Sequence, residues 1–109
     1  MQALHDSGEL NNTVILFVSD HGDMLGEHNL FRKAYPYEGS AGIPFILSNP
    51  GNILGFEHNK VRNELVELRD VMPTLLEIAG IEIPDTIDGK SVLGLVKQKK
   101  EKWRDYLHG

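Results

Sequence analysis

The sequence predicts an α/β fold, and three stretches carry that prediction. Thr13-Val14-Ile15-Leu16-Phe17-Val18-Ser19 is continuously apolar and rich in β-branched residues, the pattern of a strand covered on both faces, as in a parallel sheet flanked by helices. Residues 44–48 read as a second strand, closed by the turn signal Asn49-Pro50-Gly51. Residues 71–79 read as a helix. Asp70 stands where an N-cap is needed, Pro73 falls in the first turn where its missing N–H costs little, and Gly80 stands where a C-terminal cap is expected. Strand elements followed by helix are the signature of an α/β layer architecture.

The remaining elements fill in around these. Residues 1–10 read as the end of a helix closed by Gly8, and Asn11-Asn12 as the turn into the first strand. A third, shorter strand is predicted at about residues 63–68. Within the helix that follows, Val71, Leu75 and Ile78 share one face, which is predicted to be the core face. Asp88-Gly89-Lys90-Ser91 forms a turn before a short apolar helix at 92–96, and Lys97-Gln98-Lys99-Lys100-Glu101-Lys102 reads as a solvated surface segment. Only about three strands are visible, against the roughly 5–6 of an ordinary sheet, so the chain reads as part of a larger α/β domain.

Composition narrows the function. The 109 residues carry 16 acidic and 11 basic side chains, a net charge of -5, which argues against a nucleic-acid partner, since that requires a basic footprint. There is no cysteine, so disulfides, thiolate metal sites and cysteine nucleophiles are excluded. No apolar run approaches the ~20 residues that span a bilayer, and the first residues lack the basic start and apolar stretch of a signal peptide. The residues present are therefore expected to act without a membrane.

Asp20-His21 is the sharpest chemical feature. It sits at the carboxyl end of the first predicted strand, where open α/β sheets bind their ligands. Neighbours in a strand point to opposite faces, so the pair can converge on one ion only where the backbone turns, and Gly22 permits that turn. A carboxylate with a neutral imidazole suits a divalent ion, the imidazole favouring a transition metal or zinc over calcium; the same two residues at a strand end also serve as ordinary loop caps. Gly26-Glu27-His28 continues the loop. His28 reads as a further ligand, as a proton donor to a leaving group, or as a loop histidine that holds its neighbours through hydrogen bonds. Lys33 can neutralise a transferred sulfuryl or phosphoryl group, or it is a solvated surface lysine.

Taken together, Ser19-Asp20-His21-Gly22-Asp23-Met24-Leu25-Gly26-Glu27-His28, then Lys33 and Tyr37-Glu38, resemble the sulfatase family of the alkaline-phosphatase superfamily. The spacing S-D-H-G-x-x-x-G-x-H-x-x-x-x-K is highly specific. The resemblance continues through Ile43-Pro44-Phe45-Ile46, Pro50-Gly51, Leu68-Arg69-Asp70-Val71-Met72-Pro73-Thr74-Leu75-Leu76, Ala79-Gly80-Ile81 and Asp88-Gly89-Lys90-Ser91. It implies a partial alkaline-phosphatase-like domain: residues 1–102 as the C-terminal portion of a sulfatase catalytic domain, and 103–109 as the start of a smaller C-terminal subdomain. It also implies hydrolysis of a sulfate ester, of a small molecule or a saccharide, at a divalent metal with a formylglycine nucleophile. By position Asp20 and His21 become metal ligands, Lys33 a catalytic, sulfate-binding residue, and His28 a catalytic residue near the leaving-group oxygen. Many relatives have Asn at the place of His21, so calcium, manganese and zinc all stand as candidates, and phosphonate and phosphate ester hydrolases of the superfamily share the Asp-His form. The C/S-x-P-S/A-R motif that yields formylglycine is absent from these residues, which implies that they are inactive alone; a non-catalytic structural or binding module that keeps the fold without the chemistry stands as the other alternative. An apolar edge left without neighbouring strands predicts self-association or marginal stability.

Overall fold

The computed structural model describes residues 1–99 and 102–107. The chain divides into two compact units, one formed by Ile15–Leu47 and the other by Met1–Val14 together with the residues from Ser48 onward.

In the first of these, β1 (Ile15–Val18) pairs with β4 (Phe45–Ser48) in a two-stranded sheet. The residues between them fold into β2 (Met24–Leu25), a 3-10 helix at Glu27–Asn29, β3 (Phe31–Arg32) and α2 (Glu38–Ala41). β2 and β3 form an antiparallel hairpin with Met24 opposite Arg32 and Leu25 opposite Phe31. Strand alternation explains its two residues: Met24 is 1% exposed and anchors the loop, whereas Leu25 is 78% exposed. The hairpin tip turns through three positions of positive φ, Gly26 (φ 114), His28 (φ 54) and Asn29 (φ 58), and is closed by the Gly26 N–H donating to the Leu30 carbonyl at 3.0 Å. No periodicity of apolar residues announces this hairpin, which the sequence shows only as loop.

In the other unit, α1 (Gln2–Asp6) ends at the left-handed Gly8 (φ 78) as expected. A 3-10 helix at Leu10–Asn12 follows. The turn after β4 is built on Asn49, whose carbonyl accepts from Asn52 N–H at 2.9 Å and whose side chain accepts from Ile53 N–H at 3.0 Å. The main helix, α3 (Val71–Ile78), is preceded by a 3-10 helix at Leu68–Asp70, and α4 spans Leu93–Val96. Thr74 joins the two helices: its hydroxyl donates to the Asp70 carbonyl at 2.6 Å and accepts the Val92 N–H at 3.0 Å. Val92, Leu93 and Leu95 are buried beside this link, and Phe56 is buried in the same unit.

Four expectations change. Residues 63–67 form no strand among the described residues, because side chains claim the backbone groups a ladder would use: the Leu65 carbonyl accepts from Trp103 Nε1 at 2.7 Å and the Glu67 N–H donates to Asp70 Oδ2 at 3.0 Å. The Val71, Leu75 and Ile78 face is not the buried one. Leu75 is 47% exposed, while Pro73 and Thr74 are buried, since the Thr74 contacts turn that side of α3 toward the residues before α4. Asp70 precedes α3 but caps it with no side-chain hydrogen bond; its carboxylate is used elsewhere. Finally, β1 is shorter than the apolar run, and Phe17 within it is 60% exposed rather than covered. Lys97, Gln98, Lys99 and Lys102 are exposed as expected, whereas Lys100, Glu101, His108 and Gly109 lie outside the described residues.

Candidate functional site

The Asp20-His21 pair follows β1 where the backbone leaves the sheet. Gly22 makes that departure possible by close approach rather than by an unusual φ. A Cβ at this position would collide with the Gly39 carbonyl oxygen, and the Gly22 N–H donates to the Ser40 carbonyl at 2.8 Å. Ser19 holds the other side of the turn, its hydroxyl donating to the His21 carbonyl at 2.7 Å. Ser40 itself is buried, its hydroxyl donating to the carbonyls of Tyr35 and Tyr37.

Within this frame the two candidate ligand side chains come together. His21 Nδ1 lies 2.6 Å from the Gly22 carbonyl oxygen. A carbonyl can only accept, so Nδ1 carries a proton, and in the neutral imidazole that a metal ligand requires Nε2 keeps its lone pair. That Nε2 faces Asp20 Oδ2 at 3.5 Å, while Asp20 Oδ1 accepts the His21 N–H at 3.0 Å. Two ligand atoms on one ion, each bonded at roughly 2.0–2.6 Å, stand about this far apart. A ligand imidazole whose other nitrogen is tied to a backbone carbonyl is the usual outer-shell arrangement at metal sites. The donor set therefore fits one part of a divalent-ion site. Among the described residues no group of three or more His, Cys, Asp or Glu side chains converges, so these residues do not form a complete one.

His28 lies at the hairpin tip with φ 54 and ψ 23. Its ring stacks on Tyr37, with centroids 4.1 Å apart and an interplanar angle of 20°, and Tyr35 tilts toward Tyr37 at 6.4 Å. Tyr37 belongs to the segment that carries the family resemblance. Its carbonyl, just before α2, shapes the loop by accepting from Ser40 and Ala41 within that helix, and its ring meets His28. Lys33 follows β3 and is exposed. No hydrogen bond or ion pair among the described residues links Lys33 or His28 to the Asp20-His21 pair. Glu27 does not join the pair either: its carboxylate accepts the Leu25 N–H at 2.6 Å, and bonds from its own N–H and that of Leu25 hold the carboxyl below its usual range.

The chain's fold is shared with solved structures. The chain matches a structure solved in complex with its substrate, D-glucosamine-2-N,6-O-disulfate, at a TM-score of 0.84 and 32% identity over 94% of this chain and 21% of that one. It matches the phosphonate monoester hydrolase of Silicibacter pomeroyi at 0.83 and 31%, over 94% and 20%. The fold is thus the alkaline-phosphatase-like α/β fold of sulfatases and phosphonate hydrolases.

Within that class the chain belongs to the sulfatase family. The family model for N-sulphoglucosamine sulphohydrolase, C-terminal, matches residues 26–108. The chain is 56% identical to an arylsulfatase of Clostridium perfringens over 107 residues, and 41% identical to arylsulfatase K of Danio rerio over 98. It spans about a fifth of the length of these curated relatives, 22% and 18% respectively. No helix of the described residues is long and apolar enough to cross a membrane.

Proposed function

We propose that these residues supply part of the metal site and part of the substrate site of a sulfatase, a hydrolase of sulfate esters. The observation that supports this reading most directly is the Nε2 of His21 facing Asp20 Oδ2 at 3.5 Å with Nδ1 committed to the Gly22 carbonyl. Asp20 and His21 would hold a divalent ion, calcium or, given the imidazole, manganese or zinc. Such an ion acts as a Lewis acid toward the oxygens of the transferred group. Lys33 neutralises negative charge on the outer sulfuryl oxygens, and His28 gives a proton to the departing alcohol oxygen. A sulfated saccharide is the substrate class this reading favours, since one structural relative was solved with a glucosamine disulfate. The nucleophile is expected to be a formylglycine. Because the motif that yields it is absent from these 109 residues, they are not expected to turn over substrate by themselves.

Titration calorimetry of the chain with calcium, manganese and zinc tests the metal assignment. The expected result is binding of one ion, weakly, with binding lost in Asp20→Ala and in His21→Ala. Binding that survives both substitutions removes the pair from the assignment.

A second reading is favoured by the likeness to phosphonate monoester hydrolases of Silicibacter pomeroyi and Agrobacterium radiobacter, at TM-scores of 0.83 and 0.82. The same groups would then serve a phosphoryl rather than a sulfuryl centre. Comparing aryl sulfate and aryl phosphonate turnover by the protein in its native length separates the two: a preference for the phosphonate overturns the sulfatase reading.

A further inference from the structure

We propose that Tyr37 is the positioning residue for His28, holding its imidazole in one orientation toward the leaving-group side of the site. The catalytic meaning of this rests on the reading of His28 as proton donor; the positioning itself does not. His28 occupies a left-handed backbone conformation, φ 54 and ψ 23, within a tip that also holds Asn29 at φ 58. For residues other than glycine such positions are disfavoured and persist when surrounding contacts fix them. No hydrogen bond to the His28 side chain is present among the described residues; what meets the ring is the stacked face of Tyr37 at 4.1 Å and 20°.

Tyr37 is in turn anchored by its backbone, independently of its ring. Its carbonyl accepts Ser40 N–H at 3.0 Å and Ala41 N–H at 2.8 Å, and the buried Ser40 hydroxyl donates to it at 3.1 Å. The same Ser40 carbonyl receives the Gly22 N–H at 2.8 Å. A continuous chain of contacts therefore runs from the turn after Asp20-His21, through Ser40 and Tyr37, to the ring of His28. Stacking leaves both ring nitrogens of His28 available, one to carry a proton and the other to accept one, which a hydrogen-bonded anchor would not. An acid in general acid catalysis works only when held within hydrogen-bond reach of the atom it protonates, and a ring free to rotate at an exposed loop tip is not so held.

Truncating the ring leaves the backbone bonds of residue 37 in place, so Tyr37→Ala is expected to fold. The first readout is the NMR resonance of the His28 ring C–H, which a stacked aromatic ring displaces. In the full chain, Tyr37→Ala and Tyr37→Leu are expected to move it toward the value of an unstacked histidine, and Tyr37→Phe to keep it displaced. An unchanged resonance in both Ala and Leu variants overturns the positioning role. The second readout is turnover by the protein in its native length, with esters of a poor and of a good leaving group. His28→Ala is expected to lose about 100-fold in kcat with the poor leaving group and little with the good one. Tyr37→Ala is expected to lose roughly 10-fold with the same selectivity, KM nearly unchanged, and Tyr37→Phe to recover most of it. Equal losses on both esters in Tyr37→Ala overturn its catalytic part. Absence of selectivity in His28→Ala, with the resonance still moved in Tyr37→Ala, overturns instead the leaving-group reading of His28.

Discussion

Gly22 follows directly on the Asp20-His21 pair, and its missing side chain is what lets the end of β1 turn against residue 39. A methyl group there meets the Gly39 carbonyl oxygen, a backbone atom that cannot rotate aside as a flexible side chain would. Gly22→Ala is therefore expected to cost about 1–3 kcal/mol, the usual scale of overpacking, and to break the 2.8 Å bond from Gly22 N–H to Ser40. Urea unfolding measures the first effect and metal titration the second; a substitution that changes neither removes Gly22 from the site's support. At this scale the sequence shows where Asp20 and His21 stand, at the end of an apolar strand with Gly22 after them, and the structure brings their side chains to 3.5 Å of each other. The sequence is silent about the ring partner of His28. That contact depends on left-handed residues at the hairpin tip, and no apolar spacing encodes them.

Asp70 shows what is decided between elements. Its position before α3 reads as a helix cap, yet the carboxylate is 0% exposed and binds three separate segments. It accepts from Glu67 N–H at 3.0 Å, from Lys90 N–H at 2.9 Å, and from both terminal nitrogens of Arg104. Glu67 Oε1 adds its charge 3.1 Å from Arg104 Nη1 and 2.7 Å from Arg69 Nη2, and the Arg104 guanidinium lies 4.9 Å from the centre of the Trp103 ring. Gly89 lets the 88–91 turn approach closely enough, since a Cβ there would overlap the Arg69 carbonyl. Local sequence shows the turn and the helix start. It cannot show that an arginine 34 residues later completes the carboxylate's shell, because that pairing has no local signature. Burial pushes the Asp70 carboxyl up, but the Arg104 guanidinium and the two backbone N–H groups outweigh it and leave the group below its ordinary value of 3.8. The folded state thus binds the Asp70 proton more weakly than the unfolded state does. The stability this gives is fully present above the ordinary value and is lost as pH falls below it, through the lower folded value. Asp70→Asn leaves the part-buried Arg104 with Glu67 as its carboxylate partner and weakens its bonds to residue 70, at a cost of about 1.5–3 kcal/mol, the scale of hydrogen bonds to charged groups. Denaturant unfolding of wild type and Asp70→Asn at neutral pH and at successively lower pH checks both parts: the difference is expected to be largest near neutrality and to shrink in acid. A constant difference across that range would place the effect in packing rather than in the carboxylate's charge.

For the molecule as a whole, the alternation of strand and helix was legible, and so was the family. What the sequence could not convey is which apolar faces are covered. The run at 13–19 and the face of Val71, Leu75 and Ile78 both follow patterns that signify burial, and periodicity identifies an apolar face without naming its cover. Among the described residues Met24, Phe56, Val92, Leu93 and Leu95 are the buried large apolar ones, while Phe17 at 60% and Ile46 at 55% stand open on the two strands of the β1–β4 sheet. Two paired strands with exposed apolar residues and no further strand beside them among the described residues are a template for pairing with another copy. The chain is accordingly expected to self-associate, its sedimentation coefficient rising with concentration through the micromolar range. Charged residues on an exposed strand oppose such pairing, so Phe17→Lys with Ile46→Lys should shift the population toward monomer. Because both side chains are already more than half exposed in the folded chain, the double variant should keep the unfolding midpoint of dilute wild type. A wild type that sediments as a monomer at every concentration would show that these open faces are tolerated in water. Association undiminished in the double variant would move the contact to the other exposed apolar residues, among them Val61 and Leu75.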